Sequence, residues 1–210
     1  RRQRQMCIRD RYNTVETRPE WLAWSGSGIE FMRRHGFDQD GQMFFQVTQE
    51  GQPLRKRRYA YSEAFAAIAF AAYARATGEE RAATQARATY ENFLRYATTP
   101  GLLPPKGIVE TRPVKGLGYP MIRINVAQQL RATVGDAAAC TREIDRCIAE
   151  IKEDFVRPEL QCVLETVGTG GEFIDHFDGR TLNPGHAIEA AWFILHEARR
   201  GRAAVHAAFI

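Results

Sequence analysis

Residues 62–98, "SEAFAAIAFAAYARATGEERAATQARATYENFLRYAT", contain two consecutive helical patterns of opposite character. The first, which ends at Gly78, is apolar almost all round and therefore predicts a helix that is buried on most sides. The second is far more polar and follows at once, after a glycine of the kind that commonly ends a helix. We predict an antiparallel pair with an inner and an outer helix.

The same pattern recurs elsewhere in the chain. Residues 119–135, "YPMIRINVAQQLRATVG", form an apolar helical pattern, and residues 136–156 form its amphipathic partner. Apolar residues at helical spacing also fill residues 19–35, before Gly36, and residues 183–201. The chain therefore predicts about six helices arranged in inner–outer pairs.

Short β-rich segments separate the helix pairs. Residues 37–59 hold turn signals at Gln39–Gly41 and Glu50–Gly51 around a short β-rich run. Residues 160–177 predict two strands in a hairpin around Gly168–Gly171. Repeated helix pairs of this kind either close into an α/α toroid or stack into a solenoid. The predicted fold class is all-α, and for a closed arrangement it is an (α/α)6 toroid or barrel with short β-hairpins between helix pairs. A closed toroid of six pairs needs about twelve helices, so about half of one is expected here.

The basic charge of the chain is confined to its first eleven residues. These hold five Arg and one Asp, which accounts for the whole net charge of +4 and leaves 24 basic and 24 acidic residues in the remainder. A nucleic-acid-binding protein needs basic residues clustered on a folded face, and Arg55–Arg58 is the one short cluster. We interpret that cluster as solvated and expect no nucleic-acid partner. No apolar run approaches the roughly 18–20 residues of a membrane span, so no membrane partner is expected either.

The first eleven residues differ from everything that follows them. Gln5–Arg11, "QMCIRDR", is similar to a translation of the mosaic end of a transposon-based sequencing adapter. The alternative is a disordered arginine arm that reaches a phosphate surface. We interpret residues 1–11 as a non-native leader. Residues 12–210 are then expected to be a partial barrel domain, truncated at both ends. The uncovered apolar faces of its inner helices predict aggregation.

The four cysteines do not form a recognisable metal-binding or disulfide motif. Cys7, Cys140, Cys147 and Cys162 have neither a CxxC pairing nor a histidine at zinc spacing. We interpret them as small buried hydrophobic side chains of a protein in a reducing compartment, and we expect a cytoplasmic location and no metal site.

The most specific chemical feature is the segment Asn183–Glu189. Asn183–Gly185 is a loop that leads into a helix, and His186 and Glu189 are three residues apart, so both project from one face at its start. An imidazole at such a junction can reach a cavity and accept a proton near neutral pH. The alternative is a histidine that caps the helix or makes a hydrogen bond in the core.

Other polar residues lie on otherwise apolar helices. Asn125 interrupts one, and Tyr61, Ser62 and Glu63 begin another, so each either makes a hydrogen bond in the core or lines a pocket. The paired carboxylates of a glycosidase have candidates in Glu63, Asp175 and Glu189, but their spacing does not single them out.

Three segments together resemble the N-acylglucosamine 2-epimerase family. They are residues 40–78, residues 119–130 and residues 179–195, "GRTLNPGHAIEAAWFIL", and the likeness runs from about Tyr12 to about Arg200. The family includes cellobiose 2-epimerases and the aldose–ketose isomerases of mannose and sulfoquinovose. Its members are (α/α)6 barrels with the sugar at the bottom of a central cleft.

The resemblance implies proton transfer at the sugar carbon next to the carbonyl, through a cis-enediolate. His186 matches the first catalytic histidine of the family, and Glu189 matches the glutamate one turn along. Tyr61 and Asn125 match positions that line the sugar pocket. This chemistry requires neither a metal nor a nicotinamide. Some members depend on a nucleotide, so a nucleotide effector is compatible with the resemblance.

The chain departs from the family pattern in three ways. The second catalytic histidine of the family belongs to a later helix pair, so we expect this chain alone to be inactive. The sugar-contacting arginine of the first helix pair would precede Tyr12. Gln129 stands where some isomerases carry a histidine, which favours the acylglucosamine branch. A glycoside hydrolase of the α/α class and a non-catalytic helical binding protein remain the alternatives. We also consider a homodimer for the full-length protein.

Overall fold

The computed structural model describes residues 12–56, 59–104, 108 and 110–200. Within these residues, six helices have 14 or more residues, as the sequence predicts. They are α1 (Pro19–His35), α2 (Tyr61–Thr77), α3 (Glu80–Thr98), α4 (Gly118–Arg131), α5 (Ala137–Glu150) and α7 (Pro184–Ala198). A short helix, α6 (Phe177–Arg180), precedes α7, and α5 runs on into a π-helical turn at Ile151–Phe155. The leader, residues 1–11, lies outside the described residues.

Six short strands form three antiparallel pairs among the described residues. They are β1 (Gln46–Val47) with β2 (Pro53–Arg55), β3 (Val114–Gly116) with β6 (Thr166–Gly168), and β4 (Val156–Arg157) with β5 (Cys162–Val163). A 3-10 turn at Pro158–Leu160 joins β4 to β5.

The described residues divide into two compact units. The first consists of residues 12–104 and 129–137, and the second consists of the described residues in 105–128 and 138–200. Helices α1, α2 and α3 belong to the first unit, whereas α5 and α7 belong to the second. The division of the chain into a leader and one partial domain stays a prediction.

Helix α2 forms the core of the first unit. Ten of its 17 residues are buried, and Phe70 is fully enclosed. Helix α3 packs along it through small and aromatic side chains such as Ala82, Ala86 and Phe93, while its remaining face is polar. Gly78 between them has φ +72° and donates its N–H to the Ala74 carbonyl, so a left-handed glycine ends α2. The predicted inner–outer pair is confirmed.

Helix α1 is tied to α3 by a buried guanidinium. Arg33 donates from Nε to Gln85 Oε1 at 2.7 Å and from Nη2 to Glu79 Oε1 at 2.5 Å, and it also pairs with Glu30. Since the Arg33 side chain is almost fully enclosed, these contacts satisfy donors that water cannot reach.

The short β-rich run predicted in residues 37–59 forms a hairpin. Strands β1 and β2 pair across a turn in which Thr48 donates to the Gln52 carbonyl at 2.8 Å, and Gly51 at φ +93° supplies the left-handed conformation. The predicted basic cluster Arg55–Arg58 lies partly outside the described residues.

The hairpin predicted around Gly168–Gly171 is wrong in its pairing. A tight turn exists there, because Gly171 donates to the Gly168 carbonyl, but the residues after the turn form no strand. Strand β6 pairs instead with β3, which lies some fifty residues earlier, and β5 pairs with β4. Period-two alternation indicates a strand but does not identify its partner, and the turn signal suggested the wrong one.

None of the helices in the described part of the chain is both long and apolar enough to cross a membrane.

Candidate functional site

The start of α7 is built by Asn183 and Pro184. Asn183 is the N-cap, and its Oδ1 accepts the His186 backbone N–H at 3.3 Å. Pro184 follows at the first helical position, where a missing N–H costs nothing, as the sequence predicts. His186 therefore does not cap the helix. Its backbone is fixed in the first turn, and its ring is available for another contact.

The His186 ring contacts the carboxylate of Glu165. The ring Nδ1 lies 2.9 Å from Glu165 Oε2 and 3.0 Å from Oε1. The two side chains are partly exposed, 38% for His186 and 24% for Glu165, so the pair is accessible from solvent. The ring Nε2 makes no hydrogen bond with another residue in the described part of the chain. A histidine paired through one nitrogen and open at the other has the geometry of a general acid or base.

The backbone of Glu165 is fixed by a hydrogen bond of its own. It lies directly before β6, and its carbonyl oxygen accepts the Leu117 N–H at 3.0 Å. Leu117 is buried and immediately precedes α4, the helix that carries Asn125. Glu165 therefore contacts two helix starts. Its backbone binds the residue that precedes α4, and its side chain contacts the first turn of α7.

The sequence did not single out Glu165. Its partner His186 is 21 residues away, and the two meet because β6 pairs with β3, a pairing that the sequence did not predict. The available signal was a single carboxylate within an alternating segment, which by itself is more typical of a solvated strand face.

Two of the other predicted site residues belong to the same unit as His186. Asn125 is half-buried on α4, and Glu189 is exposed one turn after His186 on α7. Tyr61 lies in the first unit, at the start of α2, where its half-buried ring is 5.8 Å from that of Tyr59. The structure brings His186 together with Glu165, and the roles expected of Glu189, Asn125 and Tyr61 stay predictions.

The carboxylates considered for a glycosidase have other roles. Glu63 is buried, and its Oε1 accepts the Met43 N–H at 2.6 Å, which is the core hydrogen bond that a buried polar group requires. Asp175 is largely exposed and pairs with Arg180 at 2.9 Å. Neither the core position of Glu63 nor the surface position of Asp175 favours paired-carboxylate catalysis.

A buried ion pair lies between α4 and α5 in the second unit. Arg123 Nη2 is 2.6 Å from Glu143 Oε1, and their side chains are 8% and 7% exposed. Cys147 lies beside the pair, with its Sγ 3.6 Å from Glu143 Oε1. Burial raises the pKa of the Cys147 thiol, and the nearby Arg123 charge offsets this only in part. The thiol is therefore neutral and unreactive at physiological pH.

The cysteines of the described residues form neither a disulfide nor part of a metal-ligand cluster. Cys140 and Cys147 are buried, as predicted, whereas Cys162 is only partly buried; all three are free thiols. Cys7 lies outside the described residues. No group of three or more His, Cys, Asp or Glu side chains that could hold a metal ion occurs within the described ranges. The expectation of chemistry without a metal or cofactor stays a prediction.

The fold is shared with solved sugar epimerases. The chain is similar to cellobiose 2-epimerase from Bacillus thermoamylovorans B4167, with a TM-score of 0.78 and 16% identity over 92% of this chain and 52% of that one. It is also similar to cellobiose 2-epimerase from Spirochaeta thermophila DSM 6192, with a TM-score of 0.73 and 18% identity over 92% of this chain and 51% of that one. These proteins are (α/α)6 barrels, so the chain has the fold of about half of such a barrel.

The chain belongs to the N-acylglucosamine 2-epimerase (GlcNAc 2-epimerase) family, whose model matches residues 11–209. It is 30% identical to bovine (Bos taurus) N-acylglucosamine 2-epimerase over 90% of this chain and 46% of that protein. It is 33% identical to the human (Homo sapiens) N-acylglucosamine 2-epimerase over 75% of this chain and 37% of that protein. The chain thus spans about half the length of the curated relatives it matches, or less.

Proposed function

We propose that the protein containing this chain is a carbohydrate isomerase, a sugar 2-epimerase or aldose–ketose isomerase, with His186 as a general acid/base. The observation that carries the proposal is the His186 ring, fixed through Nδ1 by Glu165 and open at Nε2, in a chain of the N-acylglucosamine 2-epimerase family. The names of the similar proteins, N-acylglucosamine and cellobiose 2-epimerases, support a sugar substrate.

The reaction moves one proton on the open-chain sugar. His186 Nε2 removes the proton from the carbon next to the carbonyl, and the electron pair of the broken C–H bond forms the C=C bond of a cis-enediolate. The carbonyl oxygen takes up the negative charge, which polar groups in a water-poor cleft stabilise. A proton that returns to the opposite face of the same carbon gives the epimer. A proton that returns to the neighbouring carbon gives the isomer, provided that the hydroxyl proton of the enediolate passes from O2 to O1 so that O2 becomes the new carbonyl oxygen. We assign this return to the second histidine that the family resemblance implies.

Three further side chains are proposed to bind the sugar. The Asn125 amide can both donate to and accept from a hydroxyl, the Tyr61 phenol can do the same, and Glu189 can accept. Asn125 is half-buried on α4, a position suited to the wall of a cleft rather than to open solvent. The proposal requires no metal and no redox cofactor, and it allows a nucleotide effector.

The metabolic role and the cellular location of the protein are also proposed. We assign it to carbohydrate metabolism in the cytoplasm, since free buried cysteines such as Cys140 and Cys147 suit a reducing compartment. A homodimer of the full-length protein is consistent with this assignment.

The test follows deuterium on the sugar. The gene that encodes this chain is sequenced beyond both ends, and its complete product is expressed. This protein is incubated with N-acetylmannosamine, mannose or cellobiose in deuterated water. NMR then measures deuterium at the carbon beside the carbonyl. The matched variants are His186→Asn and His196→Asn, because His196 is an exposed histidine on the same helix.

We expect exchange with at least one sugar, unchanged in His196→Asn and reduced by on the order of 100-fold or more in His186→Asn. Full exchange in a folded His186→Asn variant would contradict the assignment of the base. Incorporation of labelled water oxygen with release of reducing ends, in place of exchange, would favour a glycoside hydrolase. Neither reaction with any sugar would favour a helical binding protein.

A further inference from the structure

We infer that Glu165 is a positioning residue, which holds His186 in its Nδ1–H form and so makes Nε2 the nitrogen that exchanges protons with the substrate. This inference rests on the proposed function and extends it to a residue outside the helix that carries the base. Glu165 acts through His186 and touches no reacting atom.

The hydrogen-bonding capacities of the two groups determine the direction of the contact. Both Glu165 oxygens lie within 3.0 Å of the same ring nitrogen, His186 Nδ1. An ionised carboxylate has no proton to donate, so Nδ1 must be the donor. A neutral imidazole carries a single N–H, and with that proton at Nδ1 the lone pair is at Nε2. Nε2 is then the nitrogen able to accept a proton from carbon.

The backbone on both sides of the contact is fixed independently of it. Asn183 caps the first turn of α7 and accepts the His186 N–H. On the other side, the Glu165 carbonyl accepts the Leu117 N–H, and the next residue, Thr166, enters the β3–β6 pair opposite Gly116. Neither end therefore relies on the side-chain contact for its position. A general base needs such preorganisation, because freedom of the ring reduces the fraction of time spent in a reactive geometry.

The charge of Glu165 also suits the reaction. When Nε2 takes the proton, the ring becomes positively charged and faces a carboxylate at 2.9 Å. Glu189, on the same helix as His186, makes no hydrogen bond with the ring among the described residues. The two carboxylates therefore differ in position. Glu165 faces the His186 ring, whereas Glu189 is exposed one turn further along α7.

The first measurement is made on the wild-type protein, with one variant used only to assign the signal. In the complete gene product labelled with 15N-histidine, ring 15N–1H correlations at mildly alkaline pH show which His186 nitrogen carries the proton, with the signal assigned by its loss in His186→Asn. We expect the proton at Nδ1. A wild-type protein with the His186 proton at Nε2 would overturn the inference whatever its activity.

The second measurement uses Glu165→Ala, Glu165→Asp and, as a matched control, Glu159→Ala, which removes an exposed carboxylate from the turn between β4 and β5. A solvated neutral imidazole favours the proton at Nε2, so Glu165→Ala should move the His186 proton to Nε2 and slow exchange on the order of 10- to 100-fold. Glu165→Asp should partly restore the Nδ1 position of the His186 proton and the rate of exchange. Glu159→Ala should change neither the proton position nor the rate. Unaltered thermal melting shows that the variants fold.

The two possible failures are distinguishable. A proton at Nδ1 that moves in Glu165→Ala, without exchange on any sugar, would support the inference about Glu165 while contradicting the proposed function. Exchange that survives Glu165→Ala at the wild-type rate, or a His186 proton that stays at Nδ1 in that variant, would contradict the positioning role while leaving the function intact.

Discussion

The side-chain amide of Gln128 in α4 donates to the Glu197 carboxylate of α7 at 2.7 Å. The same Nε2 also donates to the Phe193 carbonyl at 2.8 Å, and both side chains are buried. Helix α4 carries Asn125 and helix α7 carries His186 and Glu189, so this contact joins the helices that bear three of the proposed site residues. It lies about three turns from His186, which makes it a support for the orientation of α7 rather than a part of the site.

We predict that Gln128→Leu destabilises the protein, because it removes the amide donor from a buried carboxylate. The expected loss in the free energy of unfolding is about 1–3 kcal/mol. Urea denaturation measures it, with Gln129→Leu as the matched control, since Gln129 is the next residue and is exposed. Equal losses in the two variants would show that the buried contact with Glu197 contributes nothing of its own.

The buried pair of Arg123 and Glu143 predicts a strongly non-additive pair of substitutions. Arg123→Met leaves the Glu143 carboxylate buried with its exposed neighbour Arg146 as remaining partner, and should cost about 3–5 kcal/mol. The double variant Arg123→Met/Glu143→Leu should regain most of that loss, because two apolar side chains replace the two charges. Chemical denaturation of the double variant and of the two single variants, Arg123→Met and Glu143→Leu, gives the coupling energy. The control, Arg146→Met, should cost less than about 1 kcal/mol because Arg146 is exposed.

The sequence was sufficient to predict what depends on local pattern. The apolar run of α2 and the polar face of α3 determine which side of each helix is buried, and Gly78 determines where α2 ends. The Asn183–Pro184 start of α7 was predictable for the same reason, since an N-cap acts within one turn.

The sequence was not sufficient to predict contacts between distant segments. Strand β6 pairs with β3 across about fifty residues, and no property of either strand identifies the other. Glu165 could not be assigned to His186 for that reason, because its position follows from this pairing. The candidate base His186 was thus predictable from sequence, whereas its contact with Glu165 required the fold.

The ion cluster beside the first hairpin predicts a pH-dependent contribution to stability. Lys56 Nζ lies 2.6 Å from Asp38 and 2.9 Å from Asp40, and its hydrogen bonds lower the pKa of both carboxyls. A carboxyl whose pKa is lower in the folded state stabilises that state above the unfolded pKa, about 3.9 for Asp, and the contribution is lost as the pH falls through the folded value.

The measurement compares wild type and Lys56→Met by urea denaturation at neutral pH and in acid. We expect the wild type to be more stable than Lys56→Met at neutral pH. This difference in the free energy of unfolding should shrink as the pH falls below the pKa of an unperturbed Asp. High salt should shrink it as well, because the charged groups are partly exposed to solvent. A difference that is independent of pH would indicate that Lys56 acts by packing against Phe44, over whose ring it lies.

The thiols should differ in reactivity. Cys140 and Cys147 are buried, and burial raises the pKa of Cys147, so both should react slowly with a thiol reagent in the folded protein. Cys162 in β5 is partly exposed and should be modified before them. Timed labelling followed by peptide mass spectrometry gives the order, and unfolding in urea should bring the three rates together. Early modification of Cys147 would contradict its placement beside the Arg123–Glu143 pair.

Helix α7 presents an apolar face to solvent. Ile188, Trp192 and Leu195 are 69%, 53% and 52% exposed, and their spacing of four and then three residues places them along one side of the helix. Apolar side chains grouped in this way favour self-association, whereas the same residues scattered singly do not. We therefore predict that residues 1–210, expressed alone, associate through this face.

Sedimentation velocity of that chain tests the prediction with the double substitution Ile188→Ser/Trp192→Ser. The substitutions should shift the distribution toward the monomer, and the matched control Leu160→Ser, an equally exposed leucine away from α7, should leave it unchanged. The substituted side chains are already in contact with water, so the melting temperature should change little. A wild-type chain that sediments as a monomer at high concentration would refute the prediction, and equal effects of the control would show that association does not depend on the α7 face.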